Sequence, residues 1–347
     1  MPGKPLKSLG SKAKIKSSRL QSSDIQLDGV TGANESGEIN LNRQNPPPLP
    51  IPPFPEQAMP AIPSSFPQTI RVNRNSPEPL NTALNEAQDG AEIIVPAGDY
   101  NESLKITKNV HFRAEGKVSV LSDTKADVVN ANADFISFTG FDFKQQESQS
   151  AGAVLVNCGS IIFKNCTFYS NFMPTYIAKA DAKSYLINCS IQCSDSHAYL
   201  AREDSYCYCE KVVFNSDKGH GFFAREKSKS RLVGCSVKSV KRNAFIFIDE
   251  STYLFENAVI DQNPFEVTSK TECGIIKNCT INNNYLSLHG IATLYITGCT
   301  FNRGAGLNCA ETCGVRICDC KFADQSEYPA ILCRQDSTLE LHNNSFR

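Results

Sequence analysis

Phe163-Lys164-Asn165-Cys166-Thr167-Phe168 is one copy of a six-residue pattern: apolar, any, turn residue, small residue or Cys, any, apolar. Leu186-Ile187-Asn188-Cys189-Ser190-Ile191 follows 23 residues later, and the pattern recurs every 20 to 25 residues as far as the C-terminus. Two residues before the turn stand Phe138, Phe163, Leu186, Cys209, Leu232, Phe255, Ile276, Ile296, Ile317 and Leu341. Three residues after it stand Phe143, Phe168, Ile191, Phe214, Val237, Ile260, Ile281, Phe301, Phe322 and Phe346. Both columns are apolar or Cys throughout, so both face inward. A fixed period of this length marks a solenoid. A solenoid presents a long surface rather than a single pocket.

The turn column holds Gly140, Asn165, Asn188, Lys211, Gly234, Asn257, Asn278, Gly298, Asp319 and Asn343. All but Lys211 are residue types that tolerate left-handed backbone angles. Each copy therefore reads as two short strands joined at one αL residue. The next column is small or Cys at most copies, as at Cys166, Cys189, Cys235, Cys279, Cys299 and Cys320, which suits the crowded inside of a corner. A third strand repeats at the same 23-residue spacing: Thr175–Ala178, Ala198–Ala201, Gly221–Ala224 and Ala244–Phe247. Three strands per coil leave no room for helices. The pattern predicts an all-β, three-faced parallel β-helix of about eleven coils, counting an early one at Leu104–Phe112. At about 4.8 Å per strand the rod is about 50 Å long. Leucine-rich repeats need a Leu-dense strand signature that is absent.

Residues 1–66 read as a separate unit from residues 67–347. The first twenty carry Lys4, Lys7, Lys12, Lys14, Lys16 and Arg19 and no acid. Asn45 to Pro55 is dominated by proline. Such a stretch builds no core and favours polyproline II, so the unit is expected to be a disordered arm. Pro47-Pro48-Leu49-Pro50 matches a motif taken by WW domains, and SH3-type modules read similar strands. The alternative is a stiff spacer. Thr69–Val72 reads as a first strand. Ser76 and Pro77 are expected to open a capping helix with Leu80, Ala83, Leu84 and Ala87 on one face.

Net charge is −1, so nothing draws the whole chain toward nucleic acid. No stretch approaches the roughly 18 apolar residues that span a membrane. No apolar run follows Met1-Pro2-Gly3-Lys4, so a secretory signal peptide is not expected. Fifteen cysteines is an odd count, and six sit in one inward column. Free Cys is a small buried hydrophobe, which points to reduced thiols in a cytoplasmic or nuclear compartment. Cys309, Cys313, Cys318, Cys320 and Cys333 lack paired zinc-ligand spacing, so no metal or cofactor is expected.

Leu80–Tyr100 resembles the opening of pectin-lyase-like right-handed β-helices. The coils resemble parallel β-helix repeats, also called carbohydrate-binding and sugar-hydrolase repeats. His197–Glu203 and His220–Glu226 look most like the arrays of F-box and Shc-SH2-binding proteins. The resemblance implies the right hand, in keeping with parallel crossovers generally. It also raises polysaccharide chemistry. Gly219-His220-Gly221 is similar to a polygalacturonase motif, but the acids such an enzyme needs do not share a column here, and His220 aligns with His197 and Asn243 as a corner residue. Glu203, Glu226 and Asp249 form a column beside Lys179, Arg202 and Arg225, read as surface ion pairs between coils, with an anionic-ligand site as the alternative. No catalytic residue is assigned.

The expected function is a non-catalytic scaffold for protein–protein contact, with a carbohydrate-binding or polysaccharide-cleaving β-helix as the alternative. The expected surface is the third strand. Its outward column is either Ile177, Leu200, Phe223 and Ile246 or Tyr176, Tyr199, Phe222 and Phe245. Both are apolar, so an outward strip there marks a partner site, rimmed by Arg202 and Arg225.

Overall fold

The computed structural model describes residues 25–28, 51–122, 124–261, 265–268, 274–283, 285–289, 293–310, 313–323, 330–334 and 337–346. They form a parallel β-helix with three faces. One coil shows the plan. Lys183–Ile187 lies on sheet 1, Ser190–Cys193 on sheet 2 and Tyr199–Ala201 on sheet 3. Each pairs in parallel with the next coil, at Tyr206–Glu210, Val213–Ser216 and Phe222–Ala224. In the early coils the strands run on through the corners, as in Val129–Gln145.

All ten turn-column residues have positive φ, between 53° at Asn165 and 83° at Gly140. Lys211, the one atypical residue, adopts φ 53° like its neighbours. The fold's demand at that position overrides its ordinary preference.

The inward cysteines gain a second role beyond packing. Cys166, Cys189, Cys279 and Cys320 each direct their thiol at the carbonyl two residues earlier, at 3.2–3.3 Å, across the turn. The sulfur also faces the preceding coil: the Cys279 N–H points to Cys299 Sγ and the Cys299 N–H to Cys320 Sγ. At the last copy Asn344 replaces Cys and accepts the Cys320 N–H at 2.8 Å. The thiol adds a weak second donor to carbonyls that already accept a turn N–H, as Ile187 O does from Asn165 at 3.0 Å and Lys277 O from Asn257 at 3.1 Å. Val212 and Ala258 fill the same column without one. Burial pushes the Cys235 thiol up to about 12, so it stays protonated. All described cysteines are free; Cys273 lies outside the described residues.

In-register stacking puts like on like inside the rod. Phe112 stacks on Phe138 at 4.5 Å, and Phe138 on Phe163 at 5.3 Å. Tyr176, Tyr199 and Phe222 form a second stack at 4.7 and 4.9 Å.

The N-terminal end is closed by helix α1, Pro79–Glu86, whose Leu80, Ala83 and Leu84 are buried. Its cap differs from the expectation. Ser76 lies outside the helix, and Glu78 at the N-cap makes no side-chain cap bond. The Glu102 carboxylate instead accepts the N–H groups of Leu80 and Asn81 at 2.9 and 2.8 Å. A carboxylate from the following coil thus meets the positive end of the helix.

Two pieces of the N-terminal unit lie on the rod. Ile25–Asp28 pairs in parallel with Ile331–Arg334 as a further rung of sheet 3. Residues 51–66, grouped with the arm on composition, run over the outside of sheet 1, where Phe54 is 8% exposed. Pro47–Pro50 lie outside the described residues.

Candidate binding surface

Alternation along sheet 3 resolves the two columns. Tyr176, Tyr199, Phe222 and Phe245 are fully buried inside the rod. Ile177, Leu200, Phe223 and Ile246 point outward, half-buried and in direct register with one another. Leu155 pairs with Ile177 and extends the strip by one rung. It escaped the sequence reading because its coil departs from the 23-residue spacing. None of these five belongs to either apolar cluster of the described residues.

Both margins of the strip are ordered by ladders. On one side the His197 and His220 rings stack at 5.0 Å, and Phe223 meets them edge-on and tilted at 5.0 and 5.7 Å. His197 Nδ1 accepts the His220 N–H, and His220 Nδ1 accepts the Asn243 N–H, both at 3.2 Å. An accepting Nδ1 requires the neutral ring. Burial, with His220 and Arg242 nearby, lowers His197 to about 4. The glycines beside His220 are packing residues. A Cβ on Gly219 would sit 2.2 Å from the Ser196 carbonyl oxygen, and one on Gly221 2.6 Å from that of Ala244. The Gly-His-Gly triplet is thus accounted for by the corner itself.

On the other side Ala180, Glu203, Glu226 and Asp249 all have φ near 60°, a left-handed conformation that costs L-residues roughly 1–2 kcal/mol. Each carboxylate accepts the N–H of the αL residue in the coil before it. Glu203 takes Ala180 at 2.9 Å, Glu226 takes Glu203 at 2.7 Å and Asp249 takes Glu226 at 3.1 Å. Charge-assisted bonds of this kind offset the backbone cost. The expected ion pairs between coils are instead pairs within a coil: Arg202–Glu203 and Arg225–Glu226, both 2.8 Å. Burial raises the Glu203 carboxyl, but its bonds to Arg202 and the Ala180 N–H outweigh that and hold it below the usual range. These acids are committed to the backbone. Among the described residues no group of three His, Cys, Asp or Glu could hold a metal ion. Cys309 and Cys333 are inward partners in register. No described helix is long and apolar enough to cross a membrane.

A second outward apolar column lies on sheet 1. Ile162, Tyr185 and Tyr208 follow one another in register, and after Arg231 come Leu254, Ile275 and Tyr295. Phe54 and Ile62 pack on this cluster. The alternation of Ile162, Tyr185 and Tyr208 was there to read in the repeat, and Phe54 among the prolines was the signal for its cover.

The fold is similar to that of several solved proteins at low identity. One is a pectate lyase, at 12% identity over 72% of this chain and 79% of that one, with a TM-score of 0.43. Another is the pectin methylesterase of Aspergillus niger, at 14% over 84% and 88%, TM-score 0.36. A third is an alginate lyase in complex with a trisaccharide, at 14% over 79% and 85%, TM-score 0.37. No curated protein matches the chain. The model of the right-handed β-helix region matches residues 128–263 and 220–347, most of the rod, and the chain belongs to that family.

Proposed function

We propose that this β-helix is a scaffold that binds an extended segment of a partner protein along the outer strip of sheet 3. The observation that carries the reading is the strip itself: Leu155, Ile177, Leu200, Phe223 and Ile246, five successive outward apolar rungs that join no apolar cluster among the described residues. Contiguous apolar surface of this kind favours association. Arg202 and Arg225, fixed by their neighbouring glutamates, rim it and set register and specificity more than affinity. The free cysteines support a reducing, cytoplasmic setting. Pro47–Pro50 is proposed as a further docking motif for WW or SH3 modules. The finer likeness to F-box and Shc-SH2-binding arrays belongs with this proposal as well.

The test is the full chain carrying Leu200→Glu and Phe223→Glu, compared with the wild type by crosslinking and pull-down. Partners held by the wild type should be lost while the melting curve is unchanged. An unchanged partner list on a folded variant contradicts the reading.

A second reading, binding or cleavage of a polysaccharide, draws on one observation: an aromatic, Phe223, next to a basic column of Lys179, Arg202 and Arg225. Arg pairs well with a uronate carboxylate. Both arginines already hold glutamates, which weakens this reading. A glycan array and an activity assay on polyuronates separate the two: saturable sugar binding that Phe223→Glu removes supports the second reading and counts against the first.

A further inference from the structure

Residues 51–66 read Ile-Pro-Pro-Phe-Pro-Glu-Gln-Ala-Met-Pro-Ala-Ile-Pro-Ser-Ser-Phe. They contain neither helix nor strand, and they cross the outer face of sheet 1. Their contacts are of three kinds. Phe54 is an apolar anchor, clustered with Ile162, Tyr185, Tyr206, Leu254 and Ile275, its ring centroid 6.4 Å from that of Tyr206. The backbone is held by a tyrosine hydroxyl: Tyr185 Oη donates to the Ala58 carbonyl at 3.0 Å. Glu56 pairs with Arg231 at 2.9 Å. Arg231 is itself fixed by Glu256 at 2.9 Å and lies over the Tyr208 ring at 5.6 Å. Further along, Ile62 packs on the same cluster and Phe66 reaches the His111 ring at 5.0 Å.

From these contacts we infer that the outer face of sheet 1 is a binding groove for extended proline-rich peptides carrying an aromatic anchor and an acid two residues on, and that this chain fills it with its own residues 51–66. The chemistry is that of polyproline recognition. Proline removes N–H groups, and the extended backbone leaves its carbonyls unpaired. An aromatic-lined surface with a hydroxyl donor, Tyr185, serves both needs, and a preordered strand loses little entropy on docking. The segment is anchored at few points. Most of its residues are exposed, among them Met59 at 42% and Ile51 at 39%. Its occupancy rests on its covalent link to the first strand at Thr69–Arg71, which gives an effective concentration of about millimolar. A docked segment of this kind is exchangeable once the link no longer favours it.

The test uses a fluorescent synthetic peptide of residues 51–66 and two full-length proteins: the wild type and a Phe54→Asp, Ile62→Asp variant that releases its own segment. The wild type should bind the peptide at least tenfold more weakly than the variant. Adding Arg231→Glu to the variant should remove binding, and a peptide with Glu56→Arg should restore it. A folded variant that binds no better than the wild type overturns the inference, as does failure of the charge-swapped peptide. Concentration-dependent dimers of the wild type that Phe54→Asp dissolves would place the segment in a neighbour's groove and overturn the assignment within one chain.

Discussion

Sheets 1 and 3 turn apolar columns outward by the same alternation, yet they end in different states. On sheet 1 the column Ile162, Tyr185, Tyr208, Leu254, Ile275 lies in one cluster with Phe54 of the N-terminal segment. On sheet 3 the column Leu155 to Ile246 joins no cluster among the described residues, and its rims are ladders that hold the corners rather than cover the strip. Outward apolar residues are therefore no fault in the repeat. Among the described residues one set is covered by the chain itself, and the other is not.

The largest effect should come from removing the interior that both faces share. Phe163 is fully buried, stacked on Phe138 and edge-on to Phe168 at 4.9 Å. Phe163→Ala should cost about 3–5 kcal/mol in urea unfolding, since a cavity opens in the aromatic stack. A cost below about 1 kcal/mol would show that the stack does not carry the rod.

Acid should act at the edge of the bare face. His197 is held near 4 in the folded chain, against about 6.5 unfolded. The unfolded chain binds the extra proton between those values. Stability is therefore complete above pH 6.5 and falls by roughly 1–3 kcal/mol as the pH drops toward 4. His197→Asn copies the rung that Asn243 occupies naturally. It should flatten the melting temperature between pH 6.5 and 4.5, and an unchanged slope would assign the loss to other groups.

A smaller effect tests the corner between sheets 1 and 2. Lys211 keeps φ 53° where its neighbours in the column are Asn and Gly. Lys211→Gly should raise stability by about 0.5–1 kcal/mol, because the left-handed strain is relieved at an exposed position. A loss of stability would mean that the Lys211 side chain contributes more than its backbone costs.

The interior was legible because a period of 20 to 25 residues repeats both apolar columns and the turn column, and backbone register then fixes everything inward. The sheet 3 strip was legible up to a choice of two columns, which the pleat resolves. The two ladders were not. Glu203, Glu226 and Asp249 look like ion-pairing acids until their backbone angles are known, since a carboxylate that caps an αL N–H in the preceding coil leaves no composition signal. The cover on sheet 1 was missed for a related reason. Proline-rich sequence predicts an extended chain correctly, but its anchoring depends on Phe54 and Glu56 meeting Tyr206 and Arg231, more than 100 positions away.

Hydroxyl-radical footprinting of the full-length protein tests the difference between the faces most directly. Leu200, Phe223 and Ile246 should be oxidised readily, while Tyr185, Leu254 and Ile275 should be protected. Phe54→Asp should raise labelling at Tyr185 and leave the sheet 3 residues unchanged. Equal labelling of the two columns in the wild type, or no response of Tyr185 to Phe54→Asp, would contradict a self-covered face opposite a bare one.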